Sequence, residues 1–187
     1  MIDYATKFSS GLSYSTFLEK YGTDEYRRRW QAVHSAIQLT EAQRGLLGSF
    51  QRQMHVACMA GAWCGDCVDQ CPILDHFAAA SDCIALRFFD RDDHPDLAAE
   101  LQVCGAARVP AVVLLSEDFT PVSRFGDRTL AKYRTVAAQN IGPSCPTGLA
   151  APTDSLLQSV VQEWLDVFER AHLILRTSAR LRKLHGD

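Results

Sequence analysis

Apolar and polar positions divide the chain into a helical first part and a second part in which short apolar runs alternate with helical segments. Up to about residue 50, apolar side chains recur three or four residues apart, as in amphipathic helices. Helices are expected to begin at Ser13, at Thr23 or Asp24, and at Thr40, because these side chains can accept hydrogen bonds from free backbone N–H groups. Gln43 follows Thr40 at the spacing of a capping box.

Strands are indicated after residue 53. Residues 54–60, 84–89 and 111–115 are short apolar runs of the kind found in buried strands. Residues 122–125 follow a turn-like segment and can return as an antiparallel fourth strand. Helical segments follow the first, second and fourth strands. This order of elements predicts an α/β sandwich on a small mixed sheet.

A long amphipathic helix is expected to close the chain, from about residue 154 to residue 184. Its apolar positions step by four and three residues: Leu157, Val161, Trp164, Phe168, Ala171 and Leu175. This stripe must cover the sheet, the N-terminal helices or another subunit. We favour packing on the N-terminal helices within one chain, because both extensions then bury their apolar faces without a partner. A homodimer is the alternative.

The length of 187 residues fits one domain, with a helical N-terminal extension at 1–52, an α/β core at 53–127 and a helical C-terminal region at 128–187. No apolar stretch approaches the ~20 residues of a membrane span, and the first residues lack the apolar segment of a secretory signal. We therefore expect a cytoplasmic protein without membrane contact. The formal net charge of −3 offers no broad cationic surface for nucleic acid.

Seven cysteines, an odd number, leave at least one thiol unpaired within a monomer. Because cytosolic thiols stay reduced, a close pair there indicates redox catalysis or a metal rather than a structural disulfide. Cys64 and Cys67 lie where the first strand is expected to meet the following helix. A thiol at a helix N-terminus faces unpaired backbone N–H groups, which favour its thiolate. One sulfur can then attack a disulfide, and the other can resolve the mixed disulfide.

The segment Trp-Cys-Gly-Asp-Cys, from Trp63 to Cys67, closely resembles the active-site segment of the thioredoxin superfamily. A second match is Val109-Pro110, which ends 43 residues beyond Cys67. Thioredoxin-like folds carry a cis proline there, facing the active site. The resemblance covers roughly residues 53–127, and the helical start is similar to that of a bacterial thioredoxin-like subfamily. It implies a thioredoxin-like sandwich, a central mixed sheet flanked by helices, with helical extensions at both ends.

The resemblance also implies a function, that of a thiol-disulfide oxidoreductase acting as a disulfide reductase. Cys64 is then the nucleophile and Cys67 the resolving thiol. Trp63 is expected to shield the site. Val109 and Pro110 are expected to shape the substrate groove, in which backbone groups before the proline bind an extended chain. The implied substrates are protein or small-thiol disulfides, the electron donor is a reductase or a low-molecular-weight thiol, and no organic cofactor is implied.

Three positions distinguish this site from the usual thioredoxin pattern. Cys58 stands where thioredoxins often carry a buried acid, six residues before the first active-site cysteine. Asp66 stands where most thioredoxins have proline, and its negative charge opposes thiolate formation, which predicts a reducing pair. Cys71 lies one helical turn beyond Cys67, and it is either a packing thiol or a third redox-active sulfur.

Two other functions stay open. Cys64, Cys67 and Cys71 match the last three cysteines of a bacterial ferredoxin run, but Gly61 stands where that run has its first ligand. The candidates for a fourth ligand of zinc or an iron–sulfur cluster are Cys58, His55, His76 and a residue of a partner chain. The strand-turn-helix setting and Pro110 favour redox chemistry over metal binding. The last alternative is a redox-inert interaction protein, against which the intact cysteine pair argues.

Overall fold

Four helices precede the sheet within residues 2–140 and 156–187, the parts of the chain that this computed structural model describes. They are α1 (Tyr4–Ser9), α2 (Tyr14–Tyr21), α3 (Asp24–Ala36) and α4 (Glu41–Gly48). The last three follow Ser13, Thr23 and Thr40, as the sequence predicts. Each of these side chains accepts a hydrogen bond from a backbone N–H group of the first turn, and the capping box of α4 is present.

The strands of the described residues agree with the sequence prediction to within one residue at each end. They are β1 (Met54–Ala60), β2 (Ile84–Asp90), β3 (Ala111–Leu115) and β4 (Pro121–Gly126). They form one sheet in the order β2-β1-β3-β4, in which β1 and β2 are parallel and the other neighbours are antiparallel. The predicted small mixed sheet is therefore confirmed.

Helices also follow the strands as predicted, with two differences in length. The helices after β1 are α5 (Gly65–Ala79), α6 (Pro95–Glu100), α7 (Leu130–Asn140), α8 (Leu156–Thr177) and α9 (Ala179–His185). The apolar positions Leu97, Leu101 and Val103 predict a helix that continues to Val103, but α6 ends at Glu100. The chain then turns through Cys104 and Gly105, whose φ angles are 51° and 73°. The predicted closing helix is interrupted at Ser178, which caps α9. Residues 141–155, which include Cys145 and for which Pro143, Pro146 and Pro152 predict a loop, lie outside the described residues.

The strand register places Cys58, Phe88, Val112 and Phe125 side by side on one face of the sheet. Helices α5 and α8 cover this face. The Sγ atom of Cys58 lies 3.8 Å from a sulfur of α5. The ring of Phe125 lies 4.7 Å from that of Trp164 on α8, measured between centroids. Helix α5 is therefore buried between the sheet and its neighbouring helices.

The opposite face of the sheet is covered in part by α1, a helix that the sequence pattern does not predict because six residues are too few to show a helical period. Asp3 caps α1, since its carboxylate accepts hydrogen bonds from the backbone N–H groups of Ala5 and Thr6. The buried Phe8 packs edge-on against His55 of β1, with ring centroids 5.0 Å apart. A short capped segment thus closes this side of the core.

The apolar face of α8 packs mainly on β4, α5 and α7, so the predicted packing on the N-terminal helices is wrong in the main. Trp164 contacts β4, and Phe168 contacts Phe77 of α5 with ring centroids 5.3 Å apart. The N-terminal region meets α8 at Gln162, which accepts a hydrogen bond from Gln43 at 3.2 Å, and at His172, on which Phe50 stacks. Helix α7 therefore lies against the helix that covers β4. Most of the stripe is thus buried within one chain.

One hydrophobic cluster contains residues of the N-terminal helices, the sheet and α8, among them Trp30, Met59 and Trp164. The observed architecture is the predicted one, a central mixed sheet flanked by helices with helical extensions at both ends. No helix in the described ranges is long and apolar enough to cross a membrane.

Replacing Trp164 with alanine is expected to lower the free energy of unfolding by ~3–5 kcal/mol, because it empties a fully buried aromatic site. Urea unfolding followed by circular dichroism measures this loss. Leu173→Ala is the matched control on the same helix, since Leu173 is 53% exposed, and a change within ~0.5 kcal/mol is expected there. A Trp164→Ala chain that unfolds like the original but passes from dimer to monomer in sedimentation would instead make α8 an interface.

Candidate functional site

The turn between β1 and α5 places Cys64 at the amino end of a buried helix. Cys64 is the N-cap residue of α5, its side chain makes no capping hydrogen bond, and its backbone N–H donates to the carbonyl of Gly61 at 3.0 Å. The first backbone N–H groups of a helix have no partner within the helix, so they favour negative charge at this sulfur. Cys64 is half-buried, and a reactant can reach it.

Cys67 lies in the first turn of α5 and is 0% exposed. The backbone N–H of Gly61 donates a hydrogen bond to its Sγ atom at 3.5 Å. The two cysteines thus have different surroundings. The sulfur of Cys64 is accessible at the start of the helix, and the sulfur of Cys67 is buried from solvent behind it. All six described cysteines are free thiols.

A hydrogen bond between the two thiols shifts their pKa values in opposite directions. The hydrogen bond with Cys67, together with burial, raises the pKa of Cys64. Burial opposes a thiolate at Cys67, but hydrogen bonds from Cys64, Cys71 and the N–H of Gly61 lower the pKa of Cys67 to about 5. The pair therefore loses its first proton readily and holds the second. Transfer of the remaining proton from Cys64 to Cys67 puts the thiolate on the accessible sulfur.

The loop before β3 forms the opposite wall of the site. The Val109–Pro110 peptide bond is cis, and the Sγ–H of Cys64 donates to the carbonyl oxygen of Val109 at 3.5 Å. Both Val109 and Pro110 are buried, so the groups they can offer to a reactant are those of the backbone. Gly126 closes this wall, because a Cβ atom there would lie 2.8 Å from the carbonyl oxygen of Pro110.

Trp63 covers the turn and is 42% exposed. Its ring folds back over Gly61, where a Cβ atom would lie 2.8 Å from the indole. The guanidinium of Arg91 lies over the ring, 4.7 Å from its centroid. Arg91 is a neighbour of Trp63 that the sequence analysis did not include, and the shielding of the site by Trp63 stays a prediction.

The N-terminal extension contacts the turn directly. The indole N–H of Trp30, on α3, donates to the carbonyl oxygen of Ala62 at 2.8 Å. Trp30 is fully buried, and its ring packs against Phe17 of α2. Because Ala62 precedes the Trp63-Cys64 segment, a buried hydrogen bond from the extension fixes the backbone next to the reactive sulfur.

Asp66 does not act as the free negative charge that the sequence argument assumed. Its carboxylate lies 2.7 Å from Nη2 of Arg128 and 4.0 Å from Nζ of Lys132. The hydrogen bond with Asp66 raises the pKa of Arg128. A compensated carboxylate opposes a nearby thiolate far less than a free one does. The argument that Asp66 makes the pair reducing therefore loses its main support.

Several residues of the site have no local signal in the sequence. Gln70 bridges α5 to the end of the sheet, since its side-chain N–H₂ donates to the carbonyl oxygen of Asp127 at 3.0 Å. Its side-chain oxygen accepts a hydrogen bond from the indole N–H of Trp164 at 3.1 Å. Arg128 and Lys132 reach Asp66 from beyond β4. Only the folded chain brings these residues together, because more than fifty positions separate each of them from its partner in α5.

Cys71 and Cys58 lie behind the pair, both fully buried, with their Sγ atoms 3.8 Å apart. Cys71 shares a hydrogen bond with Cys67. The sulfurs of the ferredoxin-like spacing are therefore close in space. Even so, no group of three or more histidine, cysteine, aspartate or glutamate side chains in the described part of the chain is arranged to hold a metal ion.

A model of the family described as thioredoxin matches residues 11–138 of the chain. The chain belongs to the thioredoxin family. The match includes the turn between β1 and α5 and the cis-proline loop, and it extends into helices α2 to α4. No curated protein matches the sequence.

Among solved structures, this family member is similar to a protein of unknown function from Pseudomonas aeruginosa. The two are 20% identical, the TM-score is 0.71, and the match covers 91% of this chain and 99% of that chain. An HIV epitope scaffold matches with 20% identity and a TM-score of 0.68, over 90% of this chain and 99% of that chain. At this identity the likeness shows the fold alone, with both helical extensions included.

Cys64 is expected to react with iodoacetamide faster than Cys67, because only Cys64 is accessible. Its rate should fall as the pH decreases through about 5, where Cys67 takes up a proton and no longer accepts one from Cys64. In Cys67→Ala the rate should instead fall below ~8.5, the ordinary pKa of a thiol. Mass spectrometry of the alkylated peptides at a series of pH values measures this. Equal or reversed labelling rates would refute the assignment.

Arg128→Gln is expected to make the cysteine pair more reducing by ~20 mV, which corresponds to ~1 kcal/mol, because the partly exposed carboxylate of Asp66 then loses the nearer of its two cationic neighbours. The reduction potential against glutathione measures this shift. Asp66→Asn combined with Arg128→Gln is the control and should return close to the original potential. Equal potentials in all variants would mean that the charge of Asp66 does not reach the thiols.

Proposed function

We propose that the protein is a thiol-disulfide oxidoreductase that reduces disulfides by exchange at Cys64 and Cys67. The observation that carries this proposal is the contrast between the two sulfurs at the start of α5. Cys64 is accessible and lies at the helix N-terminus, whereas Cys67 is buried beside it and shares its proton. This is the arrangement that an attacking and a resolving thiol require.

The reaction begins when Cys67 accepts the proton of Cys64 and the Cys64 thiolate attacks one sulfur of a substrate disulfide. A bond forms between Cys64 and that sulfur, and the other substrate sulfur leaves as a thiolate and takes up a proton. Cys67 then loses its proton, attacks the Sγ atom of Cys64 and releases the second substrate thiol. The products are two substrate thiols and a Cys64–Cys67 disulfide, which a reductase or a low-molecular-weight thiol reduces again.

Substrate contacts are proposed at Trp63 and at the Val109–Pro110 wall. The carbonyl of Val109 accepts a hydrogen bond from Cys64 in the free protein, and it can accept one from a substrate backbone once that sulfur is engaged. The exposed ring of Trp63 can lie against an apolar side chain of the substrate. These contacts fit an extended peptide around a disulfide. We place this activity in the cytosol, where reductases and small thiols supply electrons.

No observation favours the two alternative functions. The described residues include no group of ligands arranged for zinc or an iron–sulfur cluster. A redox-inert interaction protein would not need an accessible thiol at a helix start or a second thiol that shares its proton. Exchange chemistry uses both features.

Trapping tests the proposal. In Cys67→Ser the attack by Cys64 is retained and resolution is lost, so mixed disulfides with insulin are expected to accumulate on Cys64. The original chain should reduce insulin disulfides with dithiothreitol as electron donor, and Cys64→Ser should reduce this activity to the uncatalysed rate. Cys83→Ser is the matched control and should keep full activity, because Cys83 lies outside the site and donates to Phe50. Activity that survives in Cys64→Ser would overturn the proposal.

A further inference from the structure

Two buried cysteines, Cys58 and Cys71, are in contact behind the exchange pair. Cys58 lies in the middle of β1, and Cys71 lies one helical turn beyond Cys67 on α5. Their Sγ atoms are 3.8 Å apart, and both side chains are fully buried. A disulfide brings its sulfurs to ~2 Å, so closing this pair requires a movement of less than 2 Å between the two atoms.

The sulfurs of Cys58 and Cys71 lie deeper in the core than those of Cys64 and Cys67. Cys67 shares a hydrogen bond with Cys64 on one side and with Cys71 on the other. The order from the surface inwards is therefore Cys64, Cys67, Cys71 and Cys58, and the last two sulfurs are 3.8 Å apart. The other described thiols differ, since Cys83 donates to a backbone carbonyl and Cys104 is exposed.

We propose that Cys58 and Cys71 form a second, internal dithiol that exchanges disulfides with the Cys64–Cys67 pair. This inference rests on the proposed function, which supplies the Cys64–Cys67 disulfide. The inner pair, Cys58 and Cys71, thus reacts with the disulfide of the outer pair, Cys64 and Cys67, in the same chain. One molecule would then store two disulfides, or four electrons when fully reduced.

The exchange proceeds in two balanced steps. Cys71 loses its proton and attacks the Sγ atom of Cys67, so that a Cys67–Cys71 bond forms, the Cys64–Cys67 bond breaks, and Cys64 leaves as a thiolate that takes up the proton. Cys58 then loses its proton and attacks the Sγ atom of Cys71, so that a Cys58–Cys71 bond forms, the Cys67–Cys71 bond breaks, and Cys67 leaves as a thiolate that takes up this proton. The outer pair is reduced and the inner pair is oxidised, with no other reactant. A second substrate disulfide can then oxidise the outer pair again.

Burial sets the rate of this exchange. Desolvation raises the pKa of Cys71, so its thiolate forms rarely and the inner exchange should be slower than the outer one. Raising the pH should speed the inner step. Burial also protects the inner disulfide from reagents that reach Cys64, so the inner pair acts as a store and not as a second contact site for substrates.

Oxidised glutathione in excess is the probe. Aliquots are denatured and alkylated at intervals, and intact mass gives the number of intramolecular disulfides per chain, separately from glutathione adducts. The original chain is expected to gain one such disulfide quickly and a second one slowly, with the slow phase faster at higher pH. Cys71→Ala and Cys58→Ala should each stop at one, whereas Cys83→Ala, the matched control, should reach two.

The bonds can be located by cleavage before aspartate residues after trypsin digestion. Asp66 and Asp69 flank Cys67, so Cys67 and Cys71 fall into separate fragments, and fragment sequencing distinguishes Cys58 from Cys64. A Cys58–Cys71 bond in the original chain supports the proposal even where a variant fails to fold. An end point with a Cys64–Cys67 disulfide and free Cys58 and Cys71 overturns this inference and leaves the proposed function intact. Absence of the Cys64–Cys67 disulfide overturns both.

Discussion

The burial of α5 against the sheet is the constraint on which the site depends. The middle of the helix is enclosed by the sheet, α3 and α8, and its two ends reach the surface, with Gly65 exposed at the start and Ala79 at the end. Cys64 occupies the amino end, so one residue combines exposure with the unpaired N–H groups of a helix start. The two sulfurs further along the helix, those of Cys67 and Cys71, are buried from solvent. The different chemistry of Cys64 and Cys67 therefore follows from where the helix is buried.

The helical extensions hold this helix end in place from two sides. On the N-terminal side, the buried indole of Trp30 fixes the carbonyl of Ala62. On the C-terminal side, Trp164 donates to Gln70, which in turn donates to the carbonyl of Asp127. Buried hydrogen bonds of this kind are costly to leave unmade, so they determine a single backbone path through the turn. The extensions thus belong to the construction of the site as well as to the core.

Local signals predict much of this protein, and contacts between distant segments account for the rest. The caps at Thr23 and Thr40, the strands and the Trp-Cys-Gly-Asp-Cys turn depend on neighbouring residues, and they were predictable. The partner of Asp66 was not, because Arg128 approaches it only after β4 returns along the sheet. The surface that α8 covers was predicted wrongly for a similar reason. An amphipathic stripe shows which face of a helix is buried, but it does not show which part of the protein packs against that face.

The most direct test of exchange at Cys64 and Cys67 is a single turnover with a defined substrate. Reduced protein is mixed with one equivalent of a peptide that contains one disulfide, quenched with acid and mapped by cleavage before Asp66, which places the two cysteines in separate fragments. The account predicts two peptide thiols for each disulfide consumed and, at the earliest times, the two protein fragments joined by a Cys64–Cys67 bond. A peptide disulfide that persists while both cysteines stay free would contradict it.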